Sequence, residues 1–231
     1  MHKLDNEGII DVDNIESVNF SSGSALIFKR AFKRCFDVFG ALLFFVLFGA
    51  LYVVVWMGVL ATTGRPAIYK HVRIGFKGKP FNCLKFRSMV PNSDAVLREL
   101  LETDPAAKDE WDRTFKLKSD PRVTKFGRFI RKTSLDELPQ FWSVLVGDMS
   151  LVGPRPVVQR ELDSFYGEAA LVYQSVKPGI TGPWQIGGRS DLSYAERISL
   201  DCGYARNWSV FGDFVILYKT VKVVLTGSGS Y

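Results

Sequence analysis

Asp136 and Glu137 stand side by side within RFIRKTSLDELPQFWSVLVGDMSLVGPRP, residues 128–156, and are the acids best placed to do chemistry. Pro139 lies three positions beyond Asp136. Proline fits only the first turn of a helix, so the spacing predicts a helix that starts near Leu135 or Asp136. Carboxylates at such a start meet the positive end of the helix dipole, which favours their ionised form. Arg128 and Arg131 precede the pair, and Arg155 follows it between Pro154 and Pro156. An ionised carboxylate among arginines suits Mg²⁺-assisted transfer from a diphosphate, because cation and guanidiniums neutralise phosphate oxygens so that one anion can attack another. Adjacent acids at a helix start also serve as plain charge compensation, and an arginine between prolines also braces a turn. Spacing alone leaves both readings open.

Other chemistries are poorly supplied. The only histidines are His2 and His71, which leaves neither an HExxH zinc site nor a conventional serine triad. Residues 75–80, GFKGKP, lack the phosphate-loop spacing and read as a hairpin turn. Cys35, Cys83 and Cys202 cannot pair completely and have no CxxC spacing, which excludes a disulfide framework and fits a reducing compartment.

The elements that must position these residues begin with an apolar run. Hydrophobic residues make up 47% and charged residues 23% of the 231, the balance of a chain with a sizeable core rather than a disordered one. The net charge of +6 is concentrated: residues 29–90 hold eleven Lys and Arg against Asp37 alone. Inside that stretch, residues 38–61 form 24 positions without a charge. As a helix they reach ~36 Å, enough for a bilayer core. An acidic, polar segment precedes the run, unlike a secretory signal. Lys29, Arg30, Lys33 and Arg34 flank one end, and Arg65, Lys70, Arg73, Lys77 and Lys79 the other. Bases mark the cytoplasmic side of a membrane segment, so both ends read as cytoplasmic. That favours a helix that enters one leaflet, bends and returns, its flanking bases on anionic headgroups. Gly49-Ala50 is the weak candidate for the bend. Lipid explains these bases better than nucleic acid does, and no nucleic-acid partner is read.

The chain thus divides into a flexible acidic tail (1–25), a re-entrant membrane helix (26–62) and a cytoplasmic domain (63–231). Apolar residues near 67–69 and 80–84 among Gly75, Gly78 and Pro80 predict a short β-hairpin. Helical spacing covers 94–101, 106–115, 125–132 and 211–225. The last two are basic and amphipathic, suited to lying flat in a headgroup layer or to forming a solvated face. The fold class is an α-dominated α+β one, with a membrane helix, interfacial amphipathic helices and a small catalytic domain.

Six segments occur in one order: KRCFD at 33–37, KFRSM at 85–89, RKTSLDELPQ at 131–140, GDMSLVGPRP at 147–156, KPGITG at 177–182, and Leu200-Asp201 with Asn207-Trp208-Ser209. Over roughly three quarters of the chain this closely resembles the bacterial sugar transferases of the monotopic polyprenyl-phosphate hexose-1-phosphate transferase family, in its minimal form that starts exopolysaccharide assembly. The resemblance implies that Asp136 attacks the sugar-proximal phosphate of a UDP-hexose, releasing UMP and leaving an aspartyl phosphosugar. The phosphate of a polyprenyl (undecaprenyl) phosphate then takes the phosphosugar. It implies Mg²⁺ as cofactor, held with the help of Asp136 and Glu137, with Glu137 in that role or in acceptor deprotonation. Arg155 would clamp phosphate, Lys85, Arg131 and Asp201 match charged positions of the family's site, and Arg87 and Arg189 extend that set by charge and position. The expected setting is the cytoplasmic face of the bacterial inner membrane; a homodimer stays open. Where relatives carry a helix-breaking proline, this chain has Gly49-Ala50. A non-catalytic membrane scaffold is the competing reading, set against by the intact Asp136-Glu137 pair and Arg155.

Overall fold

The computed structural model describes residues 23–114, 117–187 and 192–226. Of the expected tail, residues 1–22 lie outside this description, and Gly23 already opens the first helix, α1 (Gly23–Thr63). The hairpin follows as β1 (Ile68–Ile74) and β2 (Pro80–Phe86), antiparallel with Lys70 opposite Leu84 and Arg73 opposite Phe81. Then come α2 (Ser93–Thr103), α3 (Pro105–Thr114) and α4 (Lys125–Lys132). A 3₁₀ turn (Leu135–Glu137) leads into α5 (Gln140–Val146), so the helix predicted at Leu135 begins in earnest five residues later. Beyond it lie β3 (Ser150–Val152), α6 (Gln159–Glu161) running into a π-helical turn (Leu162–Tyr166), and α7 (Ala169–Tyr173). The chain continues through β4 (Gly179–Thr181), α8 (Pro183–Ile186), α9 (Tyr194–Arg206) and α10 (Val210–Thr226). The helix-dominated fold with small sheets is as expected.

α1 is one uninterrupted helix through Gly49 and Ala50, and it docks on the domain at both of its ends. Asp37, Ala41, Val55, Val59 and Thr63 form a buried stripe at helical spacing. At the first end, Phe36 meets Phe214 edge-on and Phe44 stacks on Phe141. At the second, Val55 and Val59 share a core with Ala67, Phe86 and Ile130. Gly40 and Gly58 permit the close approach, since a methyl group would strike Leu151 at one and Phe126 at the other. The rest of the surface is apolar and exposed, with Phe39, Leu43, Val46, Leu47, Val54 and Met57 uncovered.

This docking corrects the sequence reading of two flanking bases. Lys33 Nζ lies 2.6 Å from Asp213 Oδ2 and donates to the Val152 carbonyl, while Arg34 donates to the carbonyls of Val144 and Leu145 at the end of α5. Both serve the fold, because a cation that satisfies buried acceptors is held there more firmly than at a headgroup. α4 departs likewise from a flat interfacial helix: Ile130 is fully buried and Phe126 packs on Gly58, leaving only Phe129 of its three large apolar residues exposed.

The parallel pair β3–β4 holds the segment that carries Arg155. Ser150 aligns with Gly179 and Val152 with Thr181. Gly153 is packed directly on the backbone of Lys177 and Gly179, and Gly182 on that of Gly153, so no side chain fits at any of these three glycines. The VGPRP and KPGITG runs are thereby explained as two halves of one tight crossing.

Candidate active site

A small cleft opens between the hairpin, the Leu135–Glu137 turn and the segment after β3, lined among others by Arg73, Lys85, Glu137, Gln140, Arg155 and Gln185. β2 supplies Lys85: in the register of the hairpin, Lys85 and Cys83 share a face with Arg73. The carboxylate pair is aimed by α4. Thr124 caps that helix by accepting from the Gly127 amide, and Ser134 ends it in a left-handed conformation with φ of 57°. Such a conformation costs a non-glycine residue on the order of 1 kcal/mol, and it turns the chain into the short turn that presents Asp136 and Glu137.

Lys85 bridges the two acids. Its ammonium donates to Glu137 Oε1 at 2.7 Å and lies 4.0 Å from Asp136 Oδ2. Burial alone would lower its pKa, but the two carboxylates outweigh that and hold it above the ordinary lysine value. Burial pushes the Asp136 carboxyl up to about 6, helped by Glu137 and opposed by Lys85 and Arg131. The expectation that a helix N-terminus lowers it is therefore corrected: a single 3₁₀ turn has little dipole, and desolvation wins. At a pKa of about 6 roughly nine-tenths of the group is still ionised at pH 7. Arg131, which donates to Ser88 Oγ at 2.8 Å, stands close enough to favour that ionised form.

Arg155 lines the same cleft. Its guanidinium lies over the Trp184 ring, 4.9 Å from the centroid. The Tyr173 hydroxyl lies 3.2 Å from the Arg155 carbonyl and 3.1 Å from that of Ile74, which fixes the turn. Asp201 is fully buried behind this wall, accepting from the Tyr166 hydroxyl, so it supports the site from within rather than lining it. Burial pushes its carboxyl up to about 6 against the pull of Arg197. Arg87 lies outside the cleft, reaching the Arg65 carbonyl at 3.5 Å, and Arg189 lies outside the described residues. Several cleft residues escaped assignment from sequence: Arg73 was counted as a membrane flank, Gln140 was read only as part of a motif, and Cys83 and Gln185 were given no site role.

The volume of the cleft, about 40 Å³, accommodates a few waters or one phosphoryl group. Anything larger must extend outward along the surface. Among the described residues no cluster of three or more acid, histidine or cysteine side chains could hold a metal alone. Mg²⁺, however, is commonly held by one or two carboxylates together with substrate phosphates. Asp136 and Glu137 offer such oxygens and already share one cation, the Lys85 ammonium.

A lysine-bridged carboxylate pair and a cleft lined by arginines thus stand in a domain on which a long helix with a broad apolar face is docked. Residues 28–227 match the family of bacterial sugar transferases, and the chain belongs to it. It is 52% identical over 88% of its length to the UDP-galactose-lipid carrier transferase of Erwinia amylovora, and 51% identical over 88% to the undecaprenyl-phosphate galactose phosphotransferase of Salmonella typhimurium. In both cases it spans 42% of the relative. It is 48% identical to the exopolysaccharide production protein ExoY of Rhizobium meliloti, covering 86% of this chain and 88% of that one.

Proposed function

We propose that the protein transfers a hexose 1-phosphate from a UDP-sugar to undecaprenyl phosphate, as an early membrane step of exopolysaccharide synthesis. The observation that carries this reading is the Lys85-bridged carboxylate pair, of which Glu137 lines one cleft together with Lys85 and Arg155. A carrier that moved sugar without phosphate has no use for an ionised nucleophile beside a phosphate clamp, and a scaffold has none for either.

Asp136 acts as nucleophile. A carboxylate oxygen attacks the sugar-proximal phosphorus, the bridging P–O bond breaks and its electron pair leaves with UMP, and an aspartyl phosphosugar remains. An oxygen of the polyprenyl phosphate then attacks the same phosphorus, and Asp136 departs as a free carboxylate. Lys85 holds the carboxylates in place and keeps Asp136 ionised; Arg155 binds phosphate oxygens as charge shifts among them. Glu137, the more exposed of the two acids, faces the incoming groups. Asp136 and Glu137 would hold Mg²⁺, which when bound with the substrate phosphates neutralises their oxygens.

α1 fits an acceptor whose tail stays in the bilayer. Both of its ends dock on the same folded unit, which supports a helix held in one leaflet with the domain on the one membrane face that meets nucleotide sugars. The exposed row Phe211, Phe214, Tyr218 and Val221 on α10 continues that apolar surface.

The test is product analysis in detergent or nanodiscs with UDP-galactose and UDP-glucose, each with undecaprenyl phosphate. Release of UMP supports phosphosugar transfer. Release of UDP instead, or of neither nucleotide, overturns it.

A further inference from the structure

We propose that Arg73 is a second phosphate-binding guanidinium of the cleft, on the hairpin face that also carries Lys85 and working with Arg155 on the phosphoryl oxygens of the reaction; this rests on the function proposed above. Arg73 lines the cleft with both of those cations. Its surroundings hold the guanidinium in place through two neutral acceptors and one shared carboxylate. One nitrogen donates to the Pro156 carbonyl at 3.3 Å, the other to His71 Nδ1 at 3.1 Å. Burial, with the charges of Arg73 and Lys85, keeps His71 below its usual pKa, so the ring is a neutral acceptor with its proton on Nε2. The carboxylate nearest to Arg73 is Glu161, 3.7 Å away. Glu161 is shared with Arg197, which donates to it at the shorter distance of 3.3 Å.

Two cations at one wall are costly for the free protein. Arg73 is mostly buried, and burial followed by the nearby Arg155 charge lowers its pKa. A purely structural ion pair does not call for a second guanidinium facing the same cleft, whereas an arriving diphosphate or phosphate monoester is stabilised by both. The bond to Pro156 ties Arg73 to the very turn that carries Arg155, so both guanidiniums are held on one support.

The experiment compares Arg73→Gln and Arg73→Lys with the parent by steady-state UMP release, varying the UDP-sugar and undecaprenyl phosphate separately, and by titration with inorganic pyrophosphate. Thermal melting reports on folding. Arg73→Gln should raise one KM about 10- to 100-fold and weaken pyrophosphate binding, while Arg73→Lys recovers part of the loss. A raised KM for the UDP-sugar places the contact on the donor diphosphate; a raised KM for the lipid places it on the acceptor phosphate. If both KM values and pyrophosphate binding are unchanged in a folded variant, the proposal fails. Should Arg73→Gln not fold, an Arg73→Lys variant with parental KM values and pyrophosphate affinity overturns it equally. Parent protein that releases no UMP refutes the underlying function instead, so the two failures are distinct.

Discussion

Replacing Lys85 with methionine should move the pH dependence of the reaction. Methionine keeps most of the side-chain volume and removes the ammonium that lies 4.0 Å from Asp136 Oδ2 and 2.7 Å from Glu137 Oε1. Opposite charges about 4 Å apart attract by about 1 kcal/mol in water and about 4 kcal/mol at the effective dielectric of a partly buried site. At about 1.4 kcal/mol per pH unit, losing Lys85 raises the Asp136 pKa by about one to three units from its starting point of about 6. The ionised fraction at pH 7 then falls from about nine-tenths to between about a half and a hundredth. The assay is kcat/KM for UMP release between pH 5 and 9.5. The acid limb, near pH 6 in the parent, should shift upward by that amount, with part of the lost rate recovered at high pH. A limb that stays near pH 6 while the plateau drops would show that Lys85 binds substrate without governing the ionisation of Asp136, and would refute the electrostatic reasoning.

Asp136→Asn should abolish turnover and yet stabilise the protein at neutral pH. The folded chain holds this proton more tightly than the unfolded one, with a pKa of about 6 against 3.8. The ionised carboxylate therefore costs stability above about pH 6, and the cost vanishes below about pH 4, where both states are protonated. Denaturation at pH 8 should favour the variant by roughly 1–3 kcal/mol and the two curves should converge near pH 4; a less stable variant at pH 8 contradicts the assignment. Lys33→Met leaves Asp37 and Asp213, both almost fully buried, without their shared cation, at a cost of about 3–5 kcal/mol that Asp213→Asn should partly restore. Tags at residues 1 and 231 should both react from the same membrane face; opposite faces would mean that α1 crosses.

Features governed by nearby residues were legible in the chain. Uncharged residues at 38–61 marked α1, the apolar stretches at 67–69 and 80–84 among Gly75, Gly78 and Pro80 marked the hairpin, and of the residues singled out for chemistry Glu137 and Arg155 line one cleft. What escaped depends on partners distant in sequence. β3 and β4 are three residues each and meet across a gap filled by two helices, so neither has a periodic pattern to find. Lys33 and Arg34 looked like headgroup ligands because Asp213 and the end of α5 were not in view. Arg73 was lost in a tally of positive charge, although its alternation with His71 could have placed it on one face with Lys85 across the strand. Asp201 matched a motif position, but only burial shows that it lies behind the cleft. The ionisation of Asp136 was misjudged because dipole and desolvation oppose each other, and their balance depends on packing.

The two attachment points of α1 make that helix a ruler. Asp37 accepts from Ser150 Oγ and the Leu151 amide at one mark, and Val59 sits in the core beside Ile130 at the other. One residue inserted between them would rotate everything beyond it by about 100° and slide it ~1.5 Å, so that either mark could be met but not both. The placement of the helix's outward apolar arc relative to the cleft is thus written in the number of residues from 37 to 59. Exchanging one apolar side chain for another on the outward arc leaves both marks in register, whereas adding or deleting a position there does not.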